Sequence, residues 1–138
     1  MRPLSSCLER ESQELFTNEF SLSELEQALA QTKLGKSEGV DGIFPEFLVH
    51  LGDEARRILL AIVNLTWRKH VPQQWRKAEK IPILKKEKQA NTPNSYRPLA
   101  LTSACYKVAK RMITNRLNRY LESHNLIDKC IQMYGNRK

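Results

Sequence analysis

Two short runs of alternating apolar residues, each interrupted by a proline, restrict what this chain can build more than any other feature. Ile81 and Ile83 flank Pro82, Leu99 and Leu101 follow Pro98, and Asn91-Thr92-Pro93-Asn94 lies between the runs as turn material. The period of two predicts strands, and the polar interval predicts that they join as a β-hairpin. Proline lacks the backbone N–H that a central strand needs, so both strands are expected to be edge-like, short or bulged. The expected object is a projecting two-stranded ribbon. Arg76, Lys77, Lys80, Lys85, Lys86, Lys88 and Arg97 fall on or beside it against only Glu79 and Glu87. Cations in that number suit a polyphosphate or nucleic-acid backbone. A solvated edge that discourages strand addition accounts for the same lysines equally well.

The rest of the chain carries helical patterns. Residues 1–19 have weak apolar periodicity and predict a frayed or loosely attached helix. Ser21 and Glu24 fit a capping box, with Phe20 and Leu25 at the staple positions around it. Leu22, Leu25, Ala28 and Leu29 then share a face, which predicts a helix over about 22–33 ending near Gly35. Pro45 suits the first turn of a short helix through Leu51, and Asp53 is placed to cap the next one. Ile58, Leu59, Ile62, Val63 and Leu65 predict a core helix over 54–69. Trp67 and Trp75 flank apolar runs and are expected to anchor packing. After the ribbon, Thr102 or Ser103 is expected to cap a helix to about Ser123, with Cys105, Val108, Ala109, Met112, Ile113, Leu117 and Leu121 as its apolar stripe. Lys107, Lys110 and Arg111 group on the side away from the start of that stripe, either towards nucleic acid or simply towards water. The expected class is α+β, mostly helical with a small antiparallel β-ribbon.

Charge is divided unevenly. The net charge is +8 over 138 residues, but residues 1–66 hold 6 Lys/Arg against 11 Asp/Glu, and residues 67–138 hold 17 against 4. An anionic partner is therefore expected on the C-terminal half. No run of apolar residues approaches the length of a membrane span, and Met1–Ser6 lacks the apolar core of a secretory signal. An intracellular protein, nuclear or cytoplasmic, with no membrane partner is expected. Hydrophobic residues make up 41% and aromatic ones 7%, enough for one modest core that is marginal on its own. Cys7, Cys105 and Cys130 have neither C-x-x-C pairing nor a histidine at ligand spacing, so they predict no zinc site and no disulfide framework. His50, His70 and His124 are scattered. Gly35-Lys36-Ser37 suggests a phosphate loop, but Ala30 stands where that motif needs glycine, and the segment follows a helix instead of a strand.

Trp75-x-x-Ala78-x-x-Ile81-Pro82-Ile83-x-Lys85, a polar loop, and then Ser95-Tyr96-Arg97-Pro98-Leu99-x-Leu101-Thr102-Ser103 with a basic helix resemble the fingers region of reverse transcriptases of non-LTR (LINE-type) retrotransposons, the jockey-like group in particular. Gly35-Lys36-Ser37-x-Gly39-x-Asp41-Gly42-Ile43 is similar to a turn that precedes the ribbon in the same family, where proline often stands at the position of Val40. The aspartate there is expected to bond local amides. The resemblance runs from about Phe20 to Asp128. It implies a partial polymerase domain over 20–128, followed by a tail over 129–138 that is atypical of the family, and the weak periodicity before it leaves 1–19 as a weakly ordered segment.

By the same resemblance, Lys85 and Arg97 match the residues that contact the nucleotide triphosphate; an ammonium and a planar guanidinium suit its oxygens. Lys86, Lys88, Lys107, Lys110 and Arg111 are candidates for the template backbone. The complete enzyme is expected to use an RNA template, a DNA primer, dNTP and Mg2+ held by clustered carboxylates. Asp41, Asp53 and Asp128 are the aspartates of this chain, and none lies in an F-x-x-D or Y-x-D-D setting. No catalytic or metal-ligating residue and no cofactor is therefore expected here, with the palm and thumb expected beyond Lys138. The chain alone is expected to be inactive; a non-enzymatic RNA-binding module and a mobile-element remnant without function are the alternatives.

Overall fold

A computed structural model describes residues 4–126. Its elements follow in the order α1 (Leu4–Thr17), α2 (Leu22–Ala30), α3 (Pro45–Val49), α4 (Asp53–Arg68), α5 (Gln73–Arg76), β1 (Ala78–Leu84), β2 (Tyr96–Thr102) and α6 (Ala104–Ser123). The described residues are thus mostly helical with one two-stranded antiparallel sheet, the expected α+β class. Cys130 and the expected tail 129–138 lie outside the described residues. None of the described helices is long and apolar enough to cross a membrane.

Helix α2 sits in the middle, packed against α6, α4 and α3. Its start is the expected capping box: the Glu24 amide donates to Ser21 Oγ at 3.3 Å and the Ser21 amide donates to Glu24 Oε2 at 2.8 Å. Its end comes at Ala30, earlier than the apolar pattern suggests. The Thr32 hydroxyl donates to the Ala28 carbonyl at 3.0 Å, and the Arg111 guanidinium takes the Gln31 carbonyl, so the terminal acceptors are satisfied without another turn. Gly35 adopts a left-handed φ of 68°, but in the loop beyond. Leu25, Ala28 and Leu29 meet Ala104, Cys105, Val108, Ala109 and Met112 of α6, Leu59 and Val63 of α4, Leu48 of α3 and Trp75 of α5 in one core. Helix α4 differs from the expected core helix. Leu59 and Val63 are buried, but Ile58, Ile62 and Leu65 face outward, because α2 covers one side of α4 only.

Arg116 ties three helices together. It lies one turn beyond Met112, on the buried side of α6, and all five of its N–H groups are used. Nε and Nη2 donate to the two Glu24 oxygens at 3.0 and 2.8 Å, Nη1 donates to the carbonyls of Leu15 and Asn18 at 3.0 and 2.7 Å, and Nη2 also donates to that of Glu19 at 3.0 Å. The guanidinium carbon stands 4.0 Å from the centre of the Phe20 ring. Only 11% of the Arg116 side chain and 14% of the Glu24 side chain are exposed. Burial alone would push the Glu24 carboxyl up, but the Arg116 guanidinium and the Ser21 amide together hold it below the usual carboxylate range. Phe20 is also held from α4: its amide donates to Asn64 Oδ1 at 2.7 Å, and Asn64 Nδ2 donates to its carbonyl at 3.1 Å. Helix α1 is therefore fastened by its last carbonyls, with Phe16 beside Trp67 and His124 on Glu11 at 2.7 Å.

The 35–43 turn is bolted to the start of α6. Asp41 Oδ1 accepts from the Ile43 amide at 3.2 Å and Oδ2 from the Ser103 hydroxyl at 2.5 Å. Ser103 does occupy the position before α6, but its side chain serves this bond and makes no cap. Gly39 approaches so closely that a Cβ there would lie 2.6 Å from the Thr102 carbonyl oxygen and 2.8 Å from the Ser103 nitrogen. Asp41 is accordingly a structural aspartate, as its turn setting suggested.

The ribbon pairs Ile81 with Leu99, Ile83 with Arg97 and Pro82 with Pro98. The Lys85 amide donates to the Ser95 carbonyl at 2.8 Å, and counting from this rung makes 82/98 a pair that exchanges no backbone bonds. At such a rung the N–H groups point away from the partner strand, so the two prolines cost the ladder nothing. Residues of β1 are exposed along its whole length, and β2 is little more covered.

Replacing Arg116 with methionine should lower stability by about 2–4 kcal/mol in urea unfolding, since Glu24 and three carbonyls lose their partner. Because the folded Glu24 carboxyl lies below its ordinary value of 4.5, the contribution is complete above that pH and disappears as acid takes the solution through the folded value; the variant, left with the Ser21 amide alone on that carboxylate from the capping box, should show a smaller acid-dependent loss. Gly39→Ala should cost about 1–3 kcal/mol in the same assay, as the turn is pushed off the α6 junction. The backbone carbonyl of Tyr120 and the Glu11 carboxylate raise the His124 imidazole above its ordinary 6.5. Its hold on α1 is therefore full below that pH and fades as pH rises through the folded value, which amide exchange in α1 measured across that range would detect.

Candidate nucleic-acid interface

The basic face of α6 follows from its amphipathicity. Ala104, Val108 and Met112 turn into the core, and helical geometry carries Lys107, Lys110 and Arg111 to the other side. The structure brings these three together on the walls of two neighbouring clefts. One, of about 270 Å³, lies between α6 and the loop after α2; Lys33, Lys36, Lys107 and Arg111 surround an apolar floor of Pro45, Ala104 and Val108. The other, of about 410 Å³, runs along Lys107, Lys110, Arg111 and Thr114 towards Gln31 and Asn115. Lys107 and Arg111 form the wall they share. No acidic side chain lines either cleft. With screening over roughly 8 Å in physiological salt, cations this close act on one ligand.

Arg111 is fixed by its bond to the Gln31 carbonyl, and Asn115 Nδ2 donates to Gln31 Oε1 at 3.1 Å. The helix end of α2 is thereby joined to α6 at the edge of the clefts. Arg111 has a positioning duty besides any contact with a ligand.

The ribbon candidates form a separate group. Lys85 and Arg97 share one face of the ribbon, given the 83/97 pairing and the alternation along β1. The Lys85 ammonium donates to the Asn94 carbonyl at 2.9 Å, closing the ribbon loop. Arg97 is exposed, as are Lys86 and Lys88 in the loop, where Glu87 takes a left-handed φ of 66°. Neither cleft includes a ribbon residue. Lys33 and Lys36 were not among the residues expected from sequence. They flank Gly35 at a spacing of three, but nothing local in the sequence says that this loop folds back onto α6.

Among the described residues no three His, Cys, Asp or Glu side chains gather to hold a metal ion. Asp41 is engaged by Ile43 and Ser103, and Asp53 lies in the first turn of α4. Burial, reinforced by the Asp41 carboxylate, pushes the Cys105 thiol up, and the side chain packs in the core.

No family model matches the chain. Two curated proteins of Drosophila melanogaster do. The chain is 33% identical over 107 residues to a probable RNA-directed DNA polymerase from transposon BS, a stretch that makes up 77% of this chain and 12% of that protein. It is 32% identical over 98 residues to the RNA-directed DNA polymerase from mobile element jockey, covering 70% of this chain and 11% of the relative. The chain thus spans a small part of the length of the relatives it matches. Over that stretch it belongs to the family of RNA-directed DNA polymerases of transposons and other mobile elements.

Proposed function

We propose that this chain supplies the part of a mobile-element RNA-directed DNA polymerase, its fingers, that holds nucleic acid, and that it does not polymerise by itself. The observation that carries the first half is the acid-free pair of clefts on α6: Lys33, Lys36, Lys107 and Arg111 surround an apolar floor in one, and Lys110 joins Lys107 and Arg111 in the other. Ammonium and guanidinium groups neutralise phosphates, and an apolar floor receives a base or sugar. The second half is supported by the engaged state of Asp41 and by the lack of a carboxylate cluster among the described residues. In a complete polymerase the partners are an RNA template, a DNA primer and dNTP, and Lys85 and Arg97 on the projecting ribbon meet the triphosphate. The same clefts serve a non-enzymatic RNA-holding module; a remnant without function predicts no binding.

Single-stranded RNA should bind weakly and without sequence preference, with an affinity that falls as salt rises by a logarithmic slope of about −0.7 per phosphate contact. Lys33→Gln combined with Lys107→Gln should flatten that slope by about 1.4, whereas Arg97→Gln should leave it unchanged. Equal losses from the ribbon variant and none from the cleft variant would overturn the assignment. Primer extension on an RNA template with Mg2+ and dNTP should give no product from the purified chain, and measured extension would refute the second half.

A further inference from the structure

The outer face of α4 is used by neither the core nor the basic clefts. Ile58, Ile62 and Leu65 stand at i, i+4 and i+7, which aligns them in one stripe, and they are 62%, 40% and 54% exposed. Beside them Leu60, Ala61 and Leu65 help to line a cleft of about 340 Å³. Three large aliphatic side chains in one line, on a helix whose opposite side already fills the core, form a second apolar face. Isolated exposed leucines need no explanation, but a contiguous stripe does.

The charges at the two ends of the stripe indicate what covers it. Glu54 lies in the first turn of α4 and Lys69 just past its last. Both are exposed, and neither has an ion-pair partner in its own chain among the described residues. The nearby cation Arg68 is already paired with Glu19. An antiparallel register centred between Ala61 and Ile62 sets Ile58 against the second copy's Leu65, Ala61 against its Ile62, and Glu54 against its Lys69. Every contact then occurs twice, as a two-fold interface requires. The small Ala61 at the crossing lets the helices approach. We propose that α4 is a self-association surface through which two copies of this chain pair antiparallel. One helix face is small for an interface, so the dimer is weak and forms only at high protein concentration.

Sedimentation velocity on the 138-residue chain, run from about 10 µM to about 1 mM, tests this. The mass should rise with concentration towards two copies and no further. Ile62→Glu should hold the chain at one copy throughout; its site is at the surface, so helicity and a cooperative melt should survive. Ile83→Glu on the ribbon should change nothing. Glu54→Lys and Lys69→Glu should each weaken pairing by roughly 3-fold or more, and the double variant should restore it. A single copy at about 1 mM overturns the proposal, including the case in which the stripe of a longer polypeptide is covered by another of its segments. So does a dimer that tolerates Ile62→Glu, growth beyond two copies, or a double charge variant weaker than either single one.

Discussion

The arrangement of the helical body depends on one buried guanidinium. Arg116 reaches the exposed carbonyls at the end of α1, the capping carboxylate of α2 and the face of Phe20 from a single position on α6. A cation brought out of water is tolerable only when its donors are met, and here every donor is met. The consequence extends beyond that site. Glu24 must be in the capping-box rotamer to receive Arg116, so the start of α2, the course of the chain from Asn18 to Ser21 and the rotation of α6 about its axis are set together. The rotation of α6 then decides that Lys107, Lys110 and Arg111 face outward. The position of the candidate interface is thus a by-product of the packing on the opposite side of the same helix.

Local chemistry in the sequence accounts for much of this. The Ser21/Glu24 box, the strand period around Pro82 and Pro98, the turn role of Asp41 and the cationic face of α6 were all legible, because each depends on neighbours within a few positions. What was not legible depends on contacts across the fold. Arg116 falls among apolar positions one turn after Met112, and that placement was the one sign of it in the sequence. Lys33 and Lys36 could be joined to α6 only after knowing that the loop carrying Gly39 packs on the Thr102–Ser103 backbone. For α4, periodicity counted five apolar residues correctly and assigned them to one face, whereas they occupy two. The residues that name the family were legible for a different reason: their order along the chain matches that of the mobile-element polymerases, whatever each side chain does here.

The two basic groups also differ in how firmly the structure holds them. In the clefts on α6, Arg111 and Asn115 are bonded to Gln31 at the end of α2, so that part of the wall is in place before any ligand arrives. The ribbon is solvated on both sides and projects from its base at Thr102. Lys85 and Arg97 stand on one of its faces.

The facing prolines decide one more matter. At the 82/98 rung the missing N–H groups are those that would point outward, one on each edge of the ribbon. A further strand, from another copy or from any unfolded chain, would find an interrupted row of donors on both sides at the middle of the sheet. A two-stranded ribbon with apolar Ile81, Ile83, Leu84 and Leu99 open to water would otherwise be a seed for fibrous stacking. The prolines make it a sheet that terminates itself, so the ribbon can display apolar side chains to water without templating its own polymer.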